Sequence, residues 1–241
     1  MINHMKTIDE DEIKKFEKLA QDWWNPQGAF KPLHDLAPIR MEFITRHIKE
    51  NFTSKENSNI NILDIGCGGG LVSENLACLK YNITGIDASE ININIAKNHA
   101  LDNNIEINYF ASTAEELSLK PQKYDVVLAL EIVEHVVNLD LFLSACANLV
   151  SANGIIIFST INKTIKSYLS AIVAAEYILR WLPRGTHDFQ KFLKPSEIIL
   201  PLENLGFTAK KLQGLSYHPL TKEWLLSDDY SVNYFIYLKK D

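Results

Sequence analysis

The chain is poor in the residues that build covalent or metal scaffolds. It holds three cysteines in 241 residues, Cys67, Cys78 and Cys146, with neither the number nor the spacing of a disulfide framework or a zinc site. A reduced chain inside the cell is the expectation. Runs of Lys and Arg are missing too. Lys+Arg 24 against Asp+Glu 30 leaves a net charge of −6, which argues against nucleic acid as a partner. The first residues turn acidic at Asp9, Glu10, Asp11 and Glu12. They lack the apolar core of a secretory signal and the Arg-rich, acid-poor character of an import peptide. No apolar stretch reaches the roughly 20 residues that cross a bilayer, and no internal repeat appears. These absences predict a cytoplasmic protein, including one that rests on the inner face of a membrane without crossing it.

What is present is the balance of an ordinary globular chain, 46% hydrophobic and 22% charged, long enough for one α/β domain with a small appendage. Ile13, Phe16, Leu19 and Ala20 recur at helical spacing and predict a helix over 8–24, broken by Trp23-Trp24-Asn25-Pro26-Gln27-Gly28. A second helix is predicted from Pro38 to about Phe52, followed by a polar junction at 53–59. Residues 1–57 thus read as a helical extension capping the substrate and cofactor site, and 58–241 as the main domain. There, short apolar runs at 60–65, 82–86, 105–110, 124–130 and 154–159 alternate with helical patterns at 71–80, 89–102 and 138–151. That alternation predicts a mostly parallel sheet with helices on both faces. Strands at 207–215 and 232–238, joined through Ser227–Ser231 as an antiparallel hairpin, bring the sheet to seven strands. Residues 162–194 interrupt the pattern. Their centre, from Tyr168 to Leu182, is helical in propensity and apolar nearly all round, as in a buried helix, a lid over the site or a lipid-surface contact.

The most informative stretch is Leu63-Asp-Ile-Gly-Cys-Gly-Gly-Gly70, an apolar strand running into a glycine loop and then a helix. Glycines let the chain turn sharply and let a ligand approach the backbone. About twenty residues on, Asp87 ends the second strand, where a carboxylate can accept hydrogen bonds from ribose hydroxyls. A tight turn with Asp87 capping the next helix accounts for the same residues. A dinucleotide fingerprint needs a third small residue, and Leu71 occupies that place, which disfavours an NAD-dependent oxidoreductase. The spacing present, Gly66-x-Gly68-x-Gly70 after Asp64, resembles the first motif of class I S-adenosylmethionine-dependent methyltransferases. Tyr109–Glu115 resembles the segment that cradles adenine in that class.

A second cluster follows the fourth strand. Glu131, Glu134 and His135, spaced i, i+3, i+4, share one face if the turn is helical. Two carboxylates and an imidazole suit Mg²⁺ or a similar divalent cation. Alternatively His135 is a general base for a hydroxyl nucleophile, or the acids serve only the helix dipole.

Segments spread along nearly the whole chain resemble the ubiquinone biosynthesis O-methyltransferase family. They are Phe16–Trp24, Gly28–His34, Ala37-Pro38-Ile39-Arg40, the glycine loop, Glu131-Ile-Val-Glu-His135, Ser159–Asn162, Ala175–Arg180 and Pro183–Asp188. The resemblance implies a Rossmann-like class I fold and cofactor contacts at Arg40, Gly66, Asp87 and Leu130. It implies a divalent cation at Glu131, Glu134 and His135, with Glu131 and His135 acting in catalysis. The implied reaction is methyl transfer from S-adenosylmethionine to a hydroxyl of polyprenyl catechols and of 3-demethylubiquinol. Partners to be expected are those polyprenylated substrates, a lipid surface met by 162–194, and other enzymes of ubiquinone biosynthesis. A guanidinium at Arg40 can form two hydrogen bonds to the cofactor's carboxylate. The alternatives are a methyltransferase for another small phenolic acceptor, and a non-catalytic nucleoside or lipid-surface module.

Overall fold

The computed structural model describes residues 7–169, 188–218, 220–221 and 223–241. Helix α1 (Glu10–Leu19) starts where the Asp9 carboxylate accepts hydrogen bonds from the N–H groups of Asp11 and Glu12, and its acidic first turn suits the helix dipole. It does not run to 24: the chain tightens into a 3-10 turn at Ala20–Asp22. Helix α2 (Lys31–Asn51) begins well before the expected Pro38. Pro32 sits in its first turn, where a missing N–H costs nothing, and Pro38 lies inside it. That proline removes one ladder bond, and burial of Ile39, Phe43, Ile44 and Ile48 offsets the loss.

Strands β1 (Asn61–Ile65), β2 (Asn82–Asp87), β3 (Asn108–Ala111), β4 (Tyr124–Leu130) and β5 (Val150–Ile161) then alternate with α3 (Leu71–Cys78), α4 (Glu90–Asp102), α5 (Ala114–Ser118) and α6 (Leu139–Leu149). All five strands are parallel. After them come a single turn, α7 (Ile165–Ser167), then α8 (Pro195–Asn204), β6 (Phe207–His218), β7 (Glu223–Ser227) and β8 (Asn233–Lys240). The sheet order is β3-β2-β1-β4-β5-β8-β6-β7, eight strands rather than seven. The extra one, β7, pairs antiparallel with β6 at the sheet edge. Trp224 and Leu226 on β7 pack toward α2 while Leu225 stays exposed, a half-buried alternation too short to stand out in sequence. The hairpin is therefore β6–β7, and Ser227–Ser231 leads the chain to β8, which enters between β5 and β6.

Both faces of the sheet are covered, which explains why its central strands read as unbroken apolar runs. On β4, Val126, Leu128 and Leu130 face the cluster built with α2 and α3, whereas Tyr124, Val127 and Ala129 face the one built with α5, α6 and α8. The chain steps outward one way from β1 to β3 and the other way from β4 to β5. The crevice between the carboxyl ends of β1 and β4 is the place where such sheets bind ligands. The helix expected over Tyr168–Leu182, with Trp181 and Leu182, lies mostly outside the described residues. Among those described, no helix is long and apolar enough to cross a membrane.

Helix α2 carries Arg40 to this crevice, and Phe43 seats the helix: it is fully buried and stacks on Phe235 with ring centroids 4.6 Å apart. Phe43→Ala is expected to lower stability by about 3–5 kcal/mol, read from urea denaturation of the two proteins.

Candidate active site

The glycine loop occupies the crevice. Gly66 has φ +71, and a Cβ there would lie 2.2 Å from the Ile132 side chain. Gly68 has φ +53, and its Cβ would lie 2.3 Å from the Trp23 ring. Neither position admits another residue without strain. The N–H groups of Gly66 and Cys67 both donate to Ile86 O, at 2.8 and 3.0 Å, and that of Gly68 donates to Asp87 Oδ2 at 3.0 Å. With these donors engaged, the first half of the loop has few left for a pyrophosphate, in keeping with the failed dinucleotide spacing at Leu71.

Asp87 stands at the tip of β2. It also accepts from the Ser89 N–H at 2.8 Å and from the Asn92 side chain at 3.3 Å. Burial raises its pKa in spite of these bonds. The cap of α4 is Ser89, whose hydroxyl accepts from the Asn92 N–H, so the capping alternative falls to the neighbour and Asp87 faces the crevice. Asp64, buried in β1, accepts from the Ser73 hydroxyl at 2.6 Å, and burial pushes its carboxyl up to about 6. Beside it lies Arg40, only 3% exposed. Among the described residues its Nε and Nη2 have no hydrogen-bond partner, although Nη2 is 3.0 Å from Glu131 Oε1. A buried guanidinium with unmatched donors is suited to a carboxylate it does not yet hold.

The cluster after β4 departs from the expected geometry. Glu131 has φ +52, a conformation costly for a residue with a side chain, and only Val133–His135 form a helical turn, of the 3-10 kind. The three side chains therefore diverge. Glu131 turns to Arg40 and accepts from the Ser159 hydroxyl at 2.9 Å. Glu134 accepts from the Thr160 hydroxyl at 2.8 Å, and burial pushes its carboxyl up to about 7. His135 Nδ1 lies 2.9 Å from Glu12 Oε2 on α1. Burial opposes charge on this ring, yet the bond to Glu12 and the neighbouring carboxylates hold it above the usual histidine value. The donor types suit a hard cation, but the arrangement does not gather them: among the described residues, no three His, Cys, Asp or Glu side chains are placed to hold a metal.

All the expected site residues nevertheless line one mainly apolar cavity of about 560 Å³. Arg40, Gly66, Asp87 and Leu130 meet Glu131, Glu134 and His135 there, and Ser112–Glu115 of the expected adenine segment joins them. His34 bonds the Trp23 carbonyl through Nε2, at 2.8 Å. Several lining residues had no local signal. Trp23 lies over Gly68 and Gly69, stacks on Phe30 at 3.8 Å and donates to Asn92 at 3.0 Å. Trp24, outside the lining, donates to Gly69 O at 2.9 Å. Tyr217 and Trp224 close the far wall from the β6–β7 hairpin.

Fold and site together define a Rossmann-like methyltransferase of class I. A family model described as a methyltransferase domain matches residues 33–212. Among solved structures, a plantazolicin methyltransferase in complex with SAH is similar, with a TM-score of 0.64 at 22% identity over 97% of this chain and 100% of that one. Magnesium protoporphyrin IX methyltransferase from Synechocystis PCC 6803 with bound SAH gives 0.59 at 16%, over 86% of each chain. These likenesses concern the fold. Sequence similarity goes further. The ubiquinone biosynthesis O-methyltransferase of Rickettsia bellii (strain OSU 85-389) is 47% identical over 238 residues, 98% of each chain. That of Pelagibacter ubique is 47% identical over 234, covering 95% of this chain and 97% of the other. That of Bartonella quintana is 44% identical over 246, covering all of both. The chain belongs to the ubiquinone biosynthesis O-methyltransferase family.

Glu134 gives a pH signature. Its folded pKa, about 7, lies above the ordinary 4.5, so the native chain holds a proton that the unfolded chain releases. The associated stability is present below the ordinary value and is lost as pH rises to about 7. Glu134→Gln should gain stability relative to wild type as pH rises from about 5 to about 7.5, measured as urea midpoints. A difference between the two proteins that stays constant with pH would contradict this. Asp64 has the same sign but is common to both.

Proposed function

We propose that the chain transfers a methyl group from S-adenosylmethionine to a hydroxyl of polyprenylated catechol intermediates and of 3-demethylubiquinol. Family membership supports the reaction. The observation that carries the cofactor assignment is Arg40, buried at the crevice beside Glu131, its Nε and Nη2 without a hydrogen-bond partner among the described residues. Arg40 takes the cofactor's carboxylate, Asp87 its ribose hydroxyls, and Gly66 with Leu130 brings the backbone and an apolar floor against it. When bound, S-adenosylmethionine supplies a methyl on a sulfonium: the acceptor oxygen bonds to that carbon as the carbon–sulfur bond breaks and its electron pair stays on sulfur.

The chain's own task is to align, exclude water and manage one proton. Residues 1–57 act as the cap that closes the cavity. Glu131, now 3.0 Å from Arg40, would be free to turn toward the acceptor if the guanidinium held the cofactor's carboxylate instead. His135, whose Nδ1 faces Glu12, takes the acceptor's proton at Nε2 and returns it to solvent. The finer reading is a divalent cation held by Glu131, Glu134 and His135, which would favour the deprotonated catechol in place of base chemistry at His135; it requires the three side chains, now turned to Arg40, Thr160 and Glu12, to converge. The apolar tail of such a substrate gives 162–194 a role at a lipid surface.

Calorimetric titration tests the cofactor assignment. S-adenosylhomocysteine is expected to bind and NAD is not, with Arg40→Ala weakening the former by about tenfold or more. His135→Ala should retain that affinity and lose turnover of a prenylated catechol. Turnover that survives EDTA unchanged would remove the cation from the mechanism. For the lipid surface, wild type is expected to float with liposomes and the Trp181→Asp/Leu182→Asp variant to stay behind; equal flotation would exclude this segment as the contact.

A further inference from the structure

The cavity follows the rim of the sheet well beyond the cofactor residues. Strand β6 runs parallel to β5, since both lie antiparallel to β8. The end of β6 and the starts of β7 and β8 therefore stand on the same rim as the carboxyl ends of β1–β5. Along that rim the lining passes from Asp87 on β2 to Leu130 on β4, then to Ile161 on β5, Asn233 on β8, Tyr217 on β6 and Trp224 on β7. Neighbouring strands lie about 4.8 Å apart, so the three steps from β4 to β6 put the hairpin end of the cavity roughly 14 Å from the last cofactor strand. The hairpin presents two aromatic rings there. On its inner face Leu215 pairs with Leu226, and both pack into the core built with α2. The next inner pair toward the tip is Tyr217 with Trp224. Their ring centroids are 5.3 Å apart at a tilt of 53°, and both residues are half-buried. Ser216 and Leu225, the pair between them, point to the other face and are exposed. Among the described residues, no charged side chain of β5, β6, β7 or β8 lines the cavity.

We propose that Tyr217 and Trp224 form a subsite for the first isoprene units of the acceptor's tail, so that the β6–β7 hairpin selects prenylated over unprenylated catechols. The proposal rests on the acceptor class proposed above. With the cofactor over β2, β1 and β4, the remaining length of the cavity runs toward β5 and the hairpin, and the tail points along it. A hydrocarbon tail offers no hydrogen bond, so it is held only by the removal of apolar surface from water. Two aromatic rings supply large area for that, with few side-chain rotations to freeze. Their position on a pleated pair whose base is locked into the core fixes the wall against which the tail lies. A cavity of about 560 Å³ encloses small molecules rather than a long chain. The subsite therefore takes the ring-proximal end of the tail, and the remainder lies outside.

The test compares the full chain on two soluble acceptors, a catechol carrying a geranyl chain and the same catechol carrying a methyl group in its place. Wild type should favour the geranyl compound in kcat/KM by about tenfold or more. Trp224→Ala and Tyr217→Ala should each cut that preference by about fivefold or more. The change should come through a raised KM for the geranyl compound, because contact with the tail is the same in ground and transition states. Trp224→Phe, which keeps an aromatic face, should retain most of the preference. Leu225→Ala, on the opposite face of β7, should leave it within about twofold of wild type. Affinity for S-adenosylhomocysteine within about twofold of wild type reports an intact fold in each variant. Independently of turnover, calorimetry on protein loaded with S-adenosylhomocysteine should show the geranyl compound bound more tightly than the methyl compound, with the difference reduced in Trp224→Ala. No preference in wild type, an equal loss on both acceptors, or a preference unchanged in both alanine variants would overturn the proposal. Wild type that binds S-adenosylhomocysteine yet methylates neither acceptor would instead overturn the proposed function, and the calorimetric difference would still decide the role of the hairpin.

Discussion

A guanidinium out of water is the constraint around which this structure is arranged. Arg40 lies inside the crevice at 3% exposure, where an uncompensated charge is expensive. Glu131 supplies the compensation at 3.0 Å, and Asp64 lies near enough for the guanidinium to draw its carboxyl downward against the effect of burial. Three elements must therefore meet. Helix α2 brings the cation, β1 brings Asp64, and the turn after β4 brings Glu131 in a left-handed conformation that few residues tolerate. Glu131 thus sits in a strained backbone conformation beside a guanidinium whose Nε and Nη2 have no hydrogen-bond partner among the described residues.

The amino-terminal segment supplies the other half of the site. It does so by contacts that cross the fold: Trp23 and Trp24 onto the glycine loop, Phe30 under Trp23, Glu12 onto His135. Trp24 also stacks on His99 at 3.4 Å, and His99 bonds Glu74 of α3 at 2.9 Å. The segment is thus clasped to α3 and α4 on one side and to the turn after β4 on the other. Its apolar side chains give the crevice a wall of low polarity, beside which charges act at greater strength than in water.

How much of this was legible in the sequence follows from how local each signal is. The unit β1–loop–α3–β2 could be read because strand, glycines, helix and acid succeed one another within one stretch of chain. The bounds of β4 were equally clear, an apolar run closed by Glu131. The start of α2 was misplaced because Pro38 mimics a helix beginning, and only tertiary burial carries the helix through it. The strand β7 was missed because five residues at an edge show too little alternation. The residues after β4 were found, but they share no helical face: Glu131, at φ +52, bonds Ser159 O on β5 through its N–H and meets Arg40, contacts that spacing cannot show. Glu12, Trp23, Tyr217 and Trp224 reach the cavity only through distant pairings, and no local pattern marks them.

The placement of β8 bears on how the chain reaches its fold. The strand nearest the carboxyl end of the sequence lies inside the sheet, bonded to β5 on one side and to β6 on the other. During synthesis β1–β5 and then β6 and β7 are made before β8. The two parts share no strand pairing until Asn233–Lys240 arrives between them. Until then β5 and β6 each present an open edge of the kind that recruits other chains. Protection from aggregation on the ribosome is therefore a matter of the last strand's timing, and a shortened chain would lose the joint between its two halves rather than a trim of its border.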